Sequence, residues 1–284
     1  SAAGLDVLKR GGNAMDAAVA ACAVQCVVEP ESTGIGGDNF CIYAPNGSTK
    51  DMIAFNGSGR APAAATAQWY KEQGITNIER QTPHAVIVPG VIDAWQTLIE
   101  DHGTMELGEL LAPAIDYARN GYPVASRVAL DFASQVDLLK NDPAAMRTFM
   151  PGGKVPKRGE MHHQPELANT LEKIANHGRD AFYTGEVAED IVSYLHSIGG
   201  LHTMEDFKNV SGEYFAPIST NYKGYDIYEC PPAGQGMIAL LLMNMMKDEP
   251  VDGVDPLSVE RLHKEIEYGR LAYQDRNVYC ADPN

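Results

Sequence analysis

Residues 12–40 read GNAMDAAVAACAVQCVVEPESTGIGGDNF and contain a helix, a glycine turn and the start of a strand. Between Ala14 and Val28 only Asp16 and Gln25 are polar. A helix that is apolar on all sides is buried either in a large protein core or in a membrane. A helix of about 15 residues is shorter than the roughly 20 that a bilayer requires. The stretch therefore predicts a buried helix that packs closely through its alanines.

The glycine turn at residues 34–38 admits two interpretations, a phosphate-binding loop or a tight structural connection. A dinucleotide fingerprint needs G-x-G-x-x-G after a strand and before a helix. Here Asn39 stands at the third glycine position, and the order is helix, turn, strand. We therefore interpret the glycines as structural, because they allow close backbone packing where the chain enters a strand of a central sheet.

The balance of charges excludes some partners. The chain has 284 residues, of which 22 are Lys or Arg and 38 are Asp or Glu, for a formal net charge of -16. Such acidity argues against nucleic acid or an anionic membrane as a partner. Lys154, Lys157 and Arg158 lie in a Pro/Gly-rich loop that we interpret as solvated, because phosphate binding normally recruits many more cations. The apolar run at residues 237–246 is too short to span a membrane.

The cysteines and the N-terminus bear on the compartment. Five scattered cysteines are too few for a disulfide framework, and an odd count favours a reducing compartment. We therefore expect a cytoplasmic protein. The sequence lacks an initiator Met, so we expect a fragment or a processed product, which leaves a periplasmic or secreted location open.

No complete catalytic or metal-binding constellation is present. Gly57-Ser58-Gly59 lacks the flanking glycine of a nucleophile elbow, and the adjacent His162 and His163 point in different directions. We predict no metal site and no cofactor. Arg60 stands among glycines, where its planar fork can bind a carboxylate through two hydrogen bonds. A salt bridge that stabilises the loop explains this arginine equally well.

The order of the elements indicates an α/β or α+β layered domain, because helices lie before, between and after short strands. Asn13 is a plausible N-cap of the buried helix, with Asp16 in its first turn. Residues 39–43 and 50–55 predict a β-hairpin, and residues 85–88 predict a short strand.

Several stretches, taken in chain order, resemble the large subunit of the γ-glutamyltranspeptidase family and together cover nearly the whole chain. Each alone is a weak signal, whereas the ordered set is specific. The matching stretches are Gly4-Leu5, Gly11-Gly12-Asn13-Ala14, Asp16-Ala17-Ala18-Val19-Ala20, Glu29-Pro30, Gly34-Ile35-Gly36-Gly37, Phe40, Ala61-Pro62, Val88-Pro89-Gly90, Leu111-Ala112-Pro113-Ala114-Ile115, Phe182-Tyr183-Thr184-Gly185, Pro231-Pro232, Gly236, His263, Glu267, Asp275-Arg276 and Asp282-Pro283.

The resemblance implies an α+β fold, the four-layer αββα sandwich of N-terminal-nucleophile hydrolases. Residues 1–284 would be the large-subunit portion of a single domain, completed by a small subunit from the same self-cleaving precursor, a zymogen. The nucleophile would be the N-terminal threonine of the small subunit, so no residue of this chain is expected to be catalytic. The substrate would be a small γ-glutamyl amide such as glutathione, and a dimer of such heterodimers remains open.

One departure from the family pattern concerns substrate binding. Typical members place the arginine that binds the substrate α-carboxylate three residues before the Ala-Pro pair, where this chain has Ser58. Its own arginine, Arg60, stands one residue before that pair and is our candidate substrate-binding residue. If carboxylate recognition is altered, an acylase for other side-chain amides, of the glutaryl or cephalosporin type, is the alternative. A non-catalytic scaffold of the same fold is the third.

Overall fold

The computed structural model describes residues 1–250 and 253–281, so the Asp282-Pro283 stretch lies outside the described residues. The chain divides into two compact units. The first unit consists of Ser1–Asn39 and Ser58–Gly212, and the second unit consists of Phe40–Gly57 and the chain from Glu213 onward.

Helices make up most of the described chain. They are α1 (Ala2–Lys9), α2 (Ala14–Val28), α3 (Ala67–Glu72), α4 (Val91–His102), α5 (Leu107–Asn120), α6 (Ser126–Ser134), α7 (Val136–Leu139), α8 (Pro143–Phe149), α9 (Pro165–His177), α10 (Asp180–Tyr183), α11 (Glu186–Ser197), α12 (Met204–Lys208), α13 (Gly236–Met246) and α14 (Val259–Tyr279). Short 3₁₀ turns lie at Pro45–Gly47, Pro83–Ala85 and Pro151–Gly153.

The strands of the described residues are short and form three small sheets. They are β1 (Asn39–Tyr43), β2 (Ile53–Gly57), β3 (Tyr122–Pro123), β4 (Met161–His162), β5 (Glu213–Phe215), β6 (Ile218–Tyr222) and β7 (Tyr225–Glu229). One sheet has the order β1-β2-β5, and the others are the pairs β3-β4 and β6-β7. Strands β2 and β5 are antiparallel, with Phe55 opposite Tyr214.

The core of the first unit lies between α1, α2, α5 and α9, which pack side by side. Its largest fully buried side chains include Trp95, Leu110, Leu111 and Leu171. An added Cβ at Gly108 would lie 2.5 Å from the Ala175 carbonyl oxygen, so the close contact of α5 with α9 requires a glycine here.

The predicted N-cap of α2 is confirmed and extended by a buried carboxylate. The Asn13 side chain accepts hydrogen bonds from the backbone of Met15 and Asp16, and Asp16 accepts one from the Asn13 backbone at 2.7 Å. Asp16 is fully buried and also accepts bonds from Thr104 N–H at 2.9 Å and from the Thr104 hydroxyl at 2.6 Å. Burial alone would raise the pKa of Asp16, but these hydrogen bonds favour the carboxylate and lower its pKa. Asp16 therefore joins α2 to the loop before α5.

The prediction that α2 is buried on all sides is wrong within this chain. Ala14, Ala18, Cys22 and Gln25 are exposed and follow one another at helical spacing, so they form a stripe along one face. Apolar composition indicated burial, but it does not reveal whether the neighbouring surface belongs to the same chain.

The second unit contains the β1-β2-β5 sheet and the β6-β7 hairpin, with α13 packed on the hairpin and on α14. The predicted hairpin of residues 39–43 and 50–55 corresponds to β1 and β2, which are neighbours in the sheet. In contrast, residues 85–88 end a 3₁₀ turn and enter an irregular loop, so the strand predicted there is wrong.

Candidate functional site

Arg60 lies in a group of three loops of the first unit, which we name the three-loop cluster. The cluster consists of residues 34–38, 58–62 and 86–91. The Gly37 carbonyl accepts hydrogen bonds from the backbone N–H groups of Gly90 and Val91, both at 3.0 Å. The Val88 N–H donates to the Arg60 carbonyl at 2.9 Å. Backbone hydrogen bonds therefore fix the loop that carries Arg60.

Asp38 connects the glycine turn to the Arg60 loop. Its Oδ1 accepts a hydrogen bond from the Gly59 N–H at 3.2 Å. An added Cβ at Gly59 would lie 1.5 Å from the Val88 carbonyl oxygen, a distance that no side chain can occupy. Gly59 is therefore required by the close contact of two backbones.

The glycines of the turn itself do not confirm the sequence interpretation. An added Cβ at Gly34 or Gly36 would meet nothing within 4 Å, and Gly36 is exposed. Neither residue is among the glycines with positive φ in the described chain. Close backbone packing within this chain therefore explains Gly59 but not these two glycines.

The Arg60 side chain is exposed, whereas the following Pro62 is buried and Ser58 is half-buried. The planar guanidinium can bind a carboxylate through two hydrogen bonds and loses less side-chain freedom per hydrogen bond than a lysine does. The Ser58 hydroxyl lies 3.4 Å from the Gly59 carbonyl oxygen. The arrangement can therefore present one cation from the 58–62 loop.

The buried Tyr183 forms a hydrogen bond with the loop at residues 86–91 of the three-loop cluster. The Tyr183 hydroxyl donates to the Pro89 carbonyl at 2.8 Å and accepts from the Asp93 N–H at 3.2 Å. Burial raises the pKa of Tyr183, so the phenol stays protonated and can donate. The Arg179 guanidinium lies 4.6 Å from the centre of the Tyr183 ring, which is a favourable cation–π arrangement.

An ion pair between Asp93 and Arg179 lies beside this tyrosine. The side chains are 7% and 22% exposed, and Arg179 Nε donates to Asp93 Oδ1. The Gly212 N–H donates to the other carboxylate oxygen of Asp93 at 2.8 Å, and Arg179 also donates to the Val210 carbonyl. Sequence reasoning missed this pair. Its signal was Asp93, a single acid in the apolar first turns of α4.

Two further side chains hold the ends of the cluster. Asp206 accepts a hydrogen bond from the Ala63 N–H at 2.9 Å and caps α12 together with Thr203. His202 is fully buried, and its Nε2 lies 2.9 Å from the Val86 carbonyl, so this nitrogen carries the proton. Burial lowers the pKa of His202.

The Asp275-Arg276 stretch lies on α14 in the second unit. Arg276 donates to the Gln235 side chain at 3.1 Å and lies 4.7 Å from the centre of the Tyr273 ring. In residues 1–250 and 253–281, no group of three or more His, Cys, Asp or Glu could hold a metal ion. The described helices include none with the length and apolar character needed to cross a membrane.

Comparison with known proteins gives consistent results. A family model described as gamma-glutamyltranspeptidase matches residues 1–284. The glutathione hydrolase-like YwrD proenzyme of Bacillus subtilis (strain 168) is 38% identical over 283 residues, which are 100% of this chain and 54% of that protein. The chain spans about half the length of the curated relatives it matches.

Two solved structures share the fold. Helicobacter pylori gamma-glutamyltranspeptidase has a TM-score of 0.91 at 30% identity, covering 99% of this chain and 82% of that chain. The cephalosporin acylase from Bacillus halodurans has a TM-score of 0.90 at 37% identity, covering 99% and 53%. These likenesses confirm the predicted α+β fold of N-terminal-nucleophile hydrolases.

Proposed function

The chain belongs to the γ-glutamyltranspeptidase family, and on this premise we propose that it is the large-subunit portion of a self-processing amidohydrolase. One observation carries the proposal: the family model matches residues 1–284, while the chain spans only about half of relatives that are named proenzymes. The remaining half of the precursor would form the small subunit and supply the nucleophile.

The reaction follows from an N-terminal threonine nucleophile. The threonine hydroxyl attacks the carbonyl carbon of the γ-glutamyl amide and gives its proton to its own free amine, which passes the proton to the leaving amine as the amide C–N bond breaks. The acyl group of the resulting acyl-enzyme is then transferred to water, or to the amine of an amino acid or peptide. This chain contributes substrate binding and the surface on which the small subunit assembles.

Arg60 is our candidate for binding the substrate carboxylate. Its loop is fixed by the Val88–Arg60 backbone hydrogen bond and by the contact of Asp38 with Gly59. The exposed guanidinium offers the parallel N–H groups that a carboxylate accepts. These contacts support Arg60 as a substitute for the arginine that the family pattern places at Ser58.

Helix α14 supports the presence of a partner chain. Val259, Leu262, Ile266 and Tyr273 are exposed by 85, 40, 61 and 51% and follow at spacings of three, four and seven residues. Exposed apolar residues at helical spacing are typical of a surface that another chain covers. We assign this surface to the small subunit.

The cysteines support a reducing compartment. All five are free: Cys22, Cys26, Cys41, Cys230 and Cys280. Reducing conditions keep thiols in this state, as in the cytoplasm. A periplasmic or secreted location is the alternative.

An acylase that cleaves another side-chain amide is the second candidate function. The structural likeness to a cephalosporin acylase at 37% identity and the shift of the arginine from position 58 to position 60 favour it. Both functions share the same nucleophile and differ only in the acyl group.

Purified full-length protein should be assayed with matched anilides of γ-glutamate and of glutarate, which differ only by the α-amino group. Faster turnover of γ-glutamyl anilide supports the first function, and faster turnover of glutaryl anilide supports the second. Absence of turnover with both contradicts the two enzymatic proposals and favours a scaffold.

A further inference from the structure

A groove of the first unit is lined by apolar and basic residues, and we name it the basic groove. It has a volume of about 670 Å³ and lies between α6 and α7 on one side and the loop at residues 150–158 on the other. Ala129, Ala133, Val136 and Val155 are among the apolar lining residues, which we call the floor. Leu130 also lines the groove and is 65% exposed, so an apolar side chain lies open to solvent here.

Four cations line the groove: Lys140, Lys154, Lys157 and Arg158. Within residues 1–250 and 253–281, the side chains of Lys154, Lys157 and Arg158 form no ion pair. No acidic residue is among the described residues that line the groove.

Two carboxylates lie close to these cations. Asp137 is fully exposed and lies 3.6 Å from the Lys140 ammonium. Glu160 accepts the backbone N–H of Lys157 at 2.9 Å. Four cations against two carboxylates leave the groove positive, although the whole chain has a net charge of -16.

The surrounding charge limits the size of the ligand. An extended anionic surface, such as a membrane or a nucleic acid, would meet the repulsion of the rest of the chain. A small anion inside the groove is affected mainly by charges within a Debye length of about 8 Å. The volume of the groove also falls within the range of small-molecule sites, roughly 300–1,000 Å³.

The floor limits the chemistry of the ligand. A peptide would bring polar amide groups against alanine and valine side chains that cannot form hydrogen bonds with them. An unbranched hydrocarbon chain avoids this cost and covers Leu130. We propose that the basic groove binds a free carboxylate with a medium-length alkyl chain, with the carboxylate among the cations and the chain on the floor. This site is independent of the proposed amide-hydrolysing function.

Calorimetric titration of the full-length protein with decanoate, decanol and decyltrimethylammonium separates the two parts of the proposal. Decanoate should bind with one site per chain and at least about tenfold more tightly than decanol, whereas the cation should not bind. Octanoate should bind about tenfold more weakly than decanoate, because each buried methylene contributes a factor of about three to four.

Two variants locate the binding. The double variant Lys157→Glu with Arg158→Glu should weaken decanoate binding at least about tenfold. Its matched control is the double variant Lys9→Glu with Lys71→Glu, which makes the same charge change at exposed lysines outside the groove and should bind as the parent does. Leu130→Ser keeps the charge and should also weaken binding. Circular dichroism confirms that each variant is folded.

Several results would overturn the proposal. The first is equal affinity for decanoate and decanol, and the second is equal affinity for decanoate in the groove variant and its control. The third is binding of the parent protein to anionic phosphatidylglycerol vesicles that is lost in the groove variant, which would indicate a membrane site. Strong hydrogen-exchange protection of residues 154–158 in the ligand-free protein would also overturn it, because another part of the protein would then cover the groove.

Discussion

The backbone N–H of Val88 donates to the Arg60 carbonyl at 2.9 Å, although 28 residues separate the two positions. This bond joins the loop that carries the candidate substrate-binding arginine to the loop that Tyr183 supports through Pro89. The position of the Arg60 backbone therefore depends on a loop that the buried Tyr183 supports.

Arg60→Ala should raise KM for the preferred anilide about 10- to 100-fold, because a two-bond carboxylate contact contributes about 1.5–3 kcal/mol. Steady-state kinetics of the processed protein measures this effect. Arg60→Lys keeps the charge but loses the planar fork, so its KM should lie between that of the parent protein and that of Arg60→Ala. An unchanged KM in Arg60→Ala would show that another group binds the carboxylate.

Gly59→Ala should displace the Arg60 loop, because the new Cβ would lie 1.5 Å from the Val88 carbonyl oxygen. We expect KM to rise and the free energy of unfolding to fall by about 3 kcal/mol, the upper range for single substitutions. Gly36→Ala is the matched control, since its Cβ would meet nothing within 4 Å. Equal Tm and KM in the two variants would argue against a close contact at Gly59.

Arg179→Met should destabilise the protein by about 3 kcal/mol, because it leaves the Asp93 carboxylate buried without its cation. Thermal unfolding gives the difference in Tm. Lys173→Met breaks the exposed pair with Glu186, where solvent screens the charges, and should lower Tm much less than Arg179→Met does. Similar losses in the two variants would contradict a special role for the buried pair.

His162→Phe should stabilise the protein at pH 7.5 by about 1 kcal/mol, because both ring nitrogens of the buried histidine lack a hydrogen-bond partner within the described residues. Burial, together with the neighbouring His163, lowers the pKa of His162 below its ordinary 6.5. At pH values just below 6.5, His162 therefore binds a proton in the unfolded chain but not in the folded chain. The contribution of neutral His162 to the free energy of unfolding is therefore fully present above pH 6.5. It is lost as the pH falls from 6.5 toward the pKa of His162 in the folded chain.

The measurement is the change in Tm between pH 7.5 and 5.0, which should be smaller in His162→Phe than in the parent. Asp16 and Asp142, whose pKa values are lowered from 3.8, begin to matter only at lower pH. The control His177→Gln removes an exposed histidine and should change the pH dependence little. A parental pH dependence in His162→Phe would assign the effect to other groups, such as His202.

Ile266→Glu should impair assembly with the proposed small subunit, because it places a charge on the exposed apolar face of α14. Co-purification of the two chains from the full-length gene product gives the readout. Glu267→Gln changes the neighbouring residue without altering that face and should assemble normally. Normal assembly of Ile266→Glu would place the partner elsewhere.

Local signals predicted much of the helical structure. Helix α5 ends at Asn120, because the following Gly121 has a positive φ that favours glycine, and such a glycine is visible in the sequence. Asn13 was predicted as the N-cap of α2 with Asp16 in its first turn, and the structure shows that these two residues form a capping box. Family resemblance, rather than these patterns, identified the fold.

Contacts between residues far apart in the chain could not be predicted from local sequence patterns. The β-branched residues at 86–88 favoured a strand. Instead of pairing with a neighbouring strand, the Val88 N–H donates to the Arg60 carbonyl and the Val86 carbonyl accepts from the His202 side chain. Arg179 follows Asp93 by 86 residues, so no local spacing indicated their pair. Arg60 was identified by its residue type and its distance from Ala61-Pro62, and its role as a carboxylate clamp is still a prediction.

Intact mass spectrometry of the full-length gene product, combined with N-terminal sequencing, tests the central claim most directly. We predict two chains from one precursor, with a threonine at the N-terminus of the smaller one. Replacing that threonine by alanine should leave the precursor uncleaved. A parent protein that remains a single polypeptide, or whose second chain begins with another residue, would contradict the assignment to a self-processing amidohydrolase.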